Sequence, residues 1–150
     1  MRIMAVDYGD ARTGVAVSDV SGTLAGEAWV IHNKNPDIIA QVISEEAFSR
    51  DVTTIVVGYP RNMNGTIGPR AEKSEWFSKL LRSKYDGSDG DIEVVLWDER
   101  MTTLSAHRIL TDTGNHGKKR KKNVDAVAAC LILESYLPYY GSTEQNPSNT

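Results

Sequence analysis

The chain of 150 residues contains one cysteine, Cys130. An internal disulfide is therefore excluded, and a lone thiol fits a reducing cytosol. Cys130 lies in the apolar run AVAACLILESYL, where a packing residue is expected; a reactive thiol needs an exposed electropositive setting. No stretch reaches the roughly 18 apolar residues of a membrane span. No signal peptide is read before the first strand. His and Cys never fall at zinc-ligand spacing, and no glycine-lysine phosphate loop is present. Excess positive charge is lacking as well: the net charge is -3. A basic footprint over the whole protein is excluded, so any nucleic-acid contact must come from a local patch. There is no internal repeat and no linker long enough to divide the chain, so one domain with its own core is expected.

What is present reads as a mixed sheet. Arg2–Asp7 carries the apolar run Ile3-Met4-Ala5-Val6. A glycine-bearing turn, Tyr8–Arg12, leads to Gly14–Ser18, and Val20-Ser21-Gly22 leads to Thr23–Ile31. Short loops between such runs predict antiparallel hairpins. Asn35-Pro36-Asp37 then reads as N-cap, first-turn proline and first-turn acid. Ile38, Ile39, Val42, Ile43 and Ala47 follow at helical spacing. TTIVVGYP is a continuous apolar run that suits a strand buried on both faces. A second helix begins near Pro69 and carries Trp76, Phe77, Leu80 and Leu81 on one face. IEVVLW is a fifth strand. A helix is expected over 102–112, ending before Gly114, and a last one over 123–137. The order βββαβαβαα predicts an α/β fold: a mixed five-stranded sheet, three antiparallel strands and then alternating helices and strands. The polar tail, residues 139–150, has little to bury and is expected to be disordered.

Three acidic positions stand at element ends. Asp7 ends the first strand, Asp98-Glu99 the fifth, and Asp125 opens the last helix. Each has an ordinary reading alone: a turn former before glycine, solvated strand-end charges, a first-turn acid favoured by the helix dipole. Beyond the carboxyl ends of sheet strands is where α/β folds bind ligands. Converging carboxylates repel one another, and a divalent cation removes that conflict. All-oxygen ligation suits Mg²⁺ or Mn²⁺, and two such ions can clamp a phosphodiester. The run Lys118-Lys119-Arg120-Lys121-Lys122 stands just before Asp125 in an otherwise acidic chain. It reads either as a solvated loop or as a phosphate-backbone contact. GTIGPRAEK adds Arg70 and Lys73, with a weak signal.

The blocks VDYGDARTGVAVSD, VVGYPRNMNGTIGPRAEK, DERMTT and KKRKKNVDAVAACLILESYL resemble, in that order, the four signature blocks of the YqgF family. These bacterial proteins are described as Holliday-junction-resolvase-like nucleases and as pre-16S rRNA nucleases. The resemblance runs to about Pro138. It implies a ribonuclease-H-like fold with helices on both faces, in one domain over 1–138. It implies that Asp7, Glu99 and Asp125 are the catalytic, metal-binding set for Mg²⁺ or Mn²⁺, with Asp98 outside it. It implies substrate contacts by Arg12, Arg100, Lys118, Lys119, Arg120, Lys121 and Lys122. It also implies a cytoplasmic nuclease that matures the 5′ end of 16S rRNA.

Two departures from the family and its wider fold stand out. Ala11 occupies a position beside Arg12 that is basic in many members. Gly58-Tyr59-Pro60 stands where the better-characterised junction resolvases carry an acid, so the second carboxylate must come from the fifth strand. The rival functions are resolution of four-way DNA junctions and non-catalytic RNA binding in ribosome assembly. A sugar-kinase or actin-like ATPase, which shares an Asp-x-Gly turn, needs a second such half that this chain lacks. The choice between monomer and homodimer stays open at this point.

Overall fold

The structure is a computed structural model. It describes residues 2–22, 25–62, 64–84, 92–99 and 126–144. Its elements are β1 (Arg2–Asp7), β2 (Arg12–Ser18), β3 (Ala25–His32), α1 (Pro36–Ser49), β4 (Val52–Tyr59), α2 (Pro69–Ser83), β5 (Glu93–Asp98) and α3 (Val127–Glu144). The five strands form one sheet in the order β3-β2-β1-β4-β5. β1 pairs with β2, and β2 with β3, antiparallel; β4 joins β1 and β5 in parallel. The expected mixed sheet is therefore the one that forms.

The central strands explain the apolar runs. β1 and β4 are covered on both faces, so Ile3–Val6 and Ile55–Val57 are continuous apolar stretches with no polar alternation. Side chains still alternate between the faces. Met4, Val6, Val15, Val17, Ile55 and Val57 pack in one core with Ile39, Ile43, Phe77 and Leu81 of α1 and α2. Ile3, Ala5, Ala16 and Val56 pack in the other with Ala129, Ile132 and Leu133 of α3. By the same alternation, Asp7 continues the Ile3–Ala5 row and Gly58 continues from Val56. Both positions fall on the face that α3 covers.

Local signals set the helix starts. Asn35 accepts a hydrogen bond at its Oδ1 from the Asp37 amide at 3.0 Å, and Pro36 follows the cap. α2 begins at Pro69, as expected. Its apolar face is narrower than the sequence implied: Phe77 and Leu81 are buried, but Trp76 is 52% exposed. Phe77 fills the available space by stacking on Tyr8, with ring centroids 4.1 Å apart and planes 8° from parallel. Gly9 turns the chain without the left-handed backbone that glycine permits. Its φ is not positive; the positive-φ glycines among the described residues are Gly22 and Gly65. A Cβ at Gly9 would instead collide with the carbonyl oxygen of Arg12.

α3 corrects the reading of the C-terminus. It continues through Pro138 to Glu144, so residues 139–144 are helical rather than part of a disordered tail. Proline removes one helical hydrogen bond, but aromatic packing holds the chain in place on either side. The Trp97 ring meets Tyr136 and Tyr139, each at 5.2 Å between centroids. The Trp97 indole also donates to Ser135 Oγ at 3.0 Å. Cys130 packs half-buried against this core, and burial pushes its thiol up. This is the packing role expected of it. The expected helix over 102–112, the basic run and residues 145–150 lie outside the described residues. No helix among the described residues is long and apolar enough to cross a membrane.

Candidate active site

The site starts from strand register. β1 and β4 pair with Val6 beside Val57, so the next residues, Asp7 and Gly58, are neighbours. β4 and β5 pair with Gly58 beside Trp97. Asp7, Gly58 and Trp97 thus form a row across the carboxyl edge of three parallel strands. Glu99 lies two residues beyond Trp97 and returns to the same face. A Cβ placed on Gly58 would stand 2.7 Å from Glu99 Oε1 and 2.5 Å from Ile132 Cδ1. The Glu99 carboxylate therefore lies in the space that a side chain on β4 would fill, with Ile132 of α3 beside it.

The electrostatics agree with this proximity. Burial raises the Glu99 carboxyl most, and the Asp7 charge raises it further; Arg70 pulls it down and Asp98 adds a smaller push, leaving it at about 7. Asp7 is also raised, by burial, with Arg70 opposing. Two carboxylates thus share a partly desolvated setting, and the charge of Asp7 disfavours that of Glu99.

Alternation along β5 separates the adjacent acids. Asp98 shares the parity of Val94 and Leu96 and faces the α2 side, where Arg61 Nη1 approaches its Oδ2 at 3.9 Å. Arg61 also donates from Nε and Nη2 to the Gly65 carbonyl, at 3.1 and 2.6 Å. Asp98 therefore belongs to the loop after β4, and Glu99 to the pair with Asp7. On α2, Lys73 Nζ donates to Asp10 Oδ1 at 2.7 Å and holds that carboxyl below its ordinary value.

The donor set fits a hard divalent cation. Asp7 and Glu99 offer oxygen ligands alone, their mutual repulsion is what such a cation relieves, and Gly58 leaves room for the second carboxylate. Among the described residues no group of three ligating side chains forms. Asp125, Arg100, Lys118, Lys119, Arg120, Lys121 and Lys122 lie outside the described residues. Arg12 is exposed at the start of β2. Two residues that the sequence reading undervalued now matter. Gly58 was visible there only as a missing acid. Arg70 stood in a block with a weak signal, because helix α2 brings it to the carboxylates from far away in the chain.

The model of the RuvX family, described as "Holliday junction resolvase", matches residues 1–139. This chain belongs to the RuvX family. The resemblance read from the four sequence blocks is thereby borne out. Two relatives bear the name "Putative pre-16S rRNA nuclease". That of Halothermothrix orenii is 44% identical over 139 residues, covering 93% of this chain and 96% of that protein. That of Bacillus subtilis is 41% identical over 139 residues, covering 91% and 97%. The fold of this RuvX-family chain is also similar to that of Thermus thermophilus RuvC, at a TM-score of 0.61 and 14% identity over 93% of this chain and 96% of that one. Fowlpox virus resolvase, in complex with Holliday junction DNA, gives 0.58 at 13% identity, over 93% and 99%. These solved structures share the ribonuclease-H-like fold with this chain, and the likeness is one of fold alone.

Two outcomes follow for the metal-free RuvX-family protein. Glu99 holds its proton up to about 7 in the fold, against 4.5 as the ordinary value. The folded state therefore binds more protons than the unfolded chain between those values, and stability rises as pH falls through that window. In EDTA, the Tm is expected to rise between pH 8 and pH 5 more steeply in the wild type than in Glu99→Gln; parallel profiles would refute the shift. The Gly58→Ala methyl must push aside the ends of Glu99 and Ile132, both flexible side chains. The variant is expected to fold and to bind Mn²⁺ at least about 10-fold more weakly by calorimetry, as for other losses of ligand support.

Proposed function

We propose that this chain is a divalent-metal-dependent nuclease that hydrolyses phosphodiester bonds in maturing the 5′ end of 16S rRNA, in the cytoplasm, as part of ribosome biogenesis. The observation that carries the reading is the pair Asp7–Glu99, gathered over Gly58 at the carboxyl edge of the sheet. Asp125 completes the catalytic set in this reading. It precedes Ala129 by four residues and Ile132 by seven in the sequence, the helical spacing of the buried stripe of α3.

Each group has a defined task in that mechanism. Asp7, Glu99 and Asp125 would hold Mg²⁺ or Mn²⁺. Bound there, the cation supplies Lewis-acid neutralisation of charge on the phosphate oxygens. Asp7 presents its carboxylate from the sheet centre, where pairing on both sides keeps the backbone rigid. Glu99 takes its position from the missing Cβ of Gly58, and Ile132 shields that carboxylate from water. Arg12, Arg100 and the run from Lys118 to Lys122 hold the sugar-phosphate backbone. Such contacts fix register and orientation without reading bases.

Precursor rRNA is favoured over DNA junctions for two reasons. The curated relatives carry the pre-16S rRNA name. An acidic chain with one short basic run also offers little surface for clamping four duplex arms. The second reading, junction resolution, draws on the family description and on the resolvase fold. It requires two sites in a dimer, because two strands must be cut.

The deciding experiment incubates the protein with labelled precursor 16S rRNA and with four-way DNA, each in Mg²⁺, Mn²⁺ or EDTA. Cleavage of the RNA is expected with metal and not with EDTA. Asp7→Asn is expected to reduce it to background while circular dichroism shows an unchanged fold. Excess unlabelled junction should compete poorly; strong competition with paired symmetric nicks would establish the resolvase reading instead. Metal-independent RNA binding without cleavage would establish an assembly factor.

The basic run gives a separate expectation. Neutralising Lys119, Arg120 and Lys121 should flatten the salt dependence of RNA binding by about 2 log units per log unit of salt, at ~0.7 per single-strand phosphate contact. The loss should be similar for unrelated sequences. An unchanged slope would make the run a solvated loop.

A further inference from the structure

Besides Arg12 at the start of β2, three cations of the described residues stand near the carboxyl edge of the sheet, and two of these three are committed. Arg61 is held by the Gly65 carbonyl and faces Asp98. Lys73 is held by Asp10. Arg70 is exposed and makes no hydrogen bond or ion pair with the described residues.

The position of Arg70 is nevertheless well defined. α2 is fastened to the segment that follows Asp7 at two points. Phe77 stacks on Tyr8, and Lys73 bonds Asp10. Arg70 lies three residues before Lys73, so it shares that helix face one turn further out. This puts it over the edge where Asp7 and Glu99 end. Its charge acts on both carboxylates, yet its guanidinium has not closed onto either as an ion pair. Arginine beside a carboxylate ordinarily forms a two-pronged pair. Here the fork remains uncommitted, beside two acids that would otherwise repel an incoming phosphate.

We propose that Arg70 is a substrate-binding catalytic residue that grips the non-bridging oxygens of the phosphate being cut. The proposal rests on the nuclease reading above. The planar fork of guanidinium donors matches two phosphate oxygens at once. In the hydrolysis, a water oxygen bonds to phosphorus and one P–O ester bond breaks. The water gives up a proton and the departing oxygen takes one. Negative charge on the non-bridging oxygens is greatest between those events. Arg70 stays protonated throughout, since guanidinium does not titrate in proteins. Its contribution is therefore larger in the transition state than in the ground state, and it acts on kcat more than on KM.

The test compares wild type, Arg70→Gln, Arg70→Lys and Asp7→Asn on labelled precursor 16S rRNA in Mg²⁺, with binding measured separately in EDTA over a range of salt. Arg70→Gln is expected to lower kcat by about 100-fold with KM within a few-fold, and Arg70→Lys to recover part of the loss. The salt slope of binding should fall by about 0.7. A purely structural counter-ion would instead change Tm and leave kcat and the slope alone, which would overturn the proposal. Cleavage by wild type that is lost in Asp7→Asn but kept in Arg70→Gln would overturn the assignment to Arg70 and leave the nuclease reading standing. If wild type cuts no substrate, the nuclease reading fails, and with it the assignment of Arg70 to the cleaved phosphate.

Discussion

Two carboxylates have to be kept together against their own repulsion, and most of the site follows from how that is done. Asp7 ends a central strand and Glu99 follows an edge strand, with β4 between them. An ordinary residue on β4 would keep them apart. Gly58 has no Cβ, so Glu99 lies across the strand toward Asp7. The cost of this arrangement appears as raised proton affinity in Glu99, where burial and then the charge of Asp7 act together. A hard cation would relieve that cost.

The sheet divides the labour between its faces. α1 and α2 seal one core and α3 the other. Asp7, Gly58 and Trp97 point to the α3 side, so α3 carries the apolar wall of the site through Ile132. α2 belongs to the other face, but its first turn overhangs the carboxyl edge because Tyr8 and Asp10 fasten it there. Thus one helix shields the acids and the other brings a cation to them. The two jobs do not compete for space.

The wider fold supports many nucleases, and the shared architecture alone does not choose among substrates. The likeness to RuvC is one of backbone, at 14% identity. What the described residues of this chain show is local: glycine at the end of β4, and a glutamate after β5 whose carboxylate lies in the space that a side chain there would fill.

Much of this was legible in the sequence, because much of it is local. Continuous apolar runs marked the strands covered on both faces, Asn35-Pro36-Asp37 marked a helix start, and short glycine turns marked hairpins. Asp7 and Glu99 were marked as strand-end acids by position alone. Other features depend on residues far apart in the chain. The choice of Glu99 over Asp98 as the partner of Asp7 is made by register and alternation across β4 and β5. The burial of Phe77 beside exposed Trp76 involves Tyr8, which stacks on it from the turn after β1. The helix through Pro138 persists because Trp97 of β5 packs against Tyr136 and Tyr139. Sequence patterns record the torsional and burial preferences of neighbouring residues, and those determined the elements. Which distant side chains then share an edge, and which charges must tolerate one another there, was decided only when the strands paired.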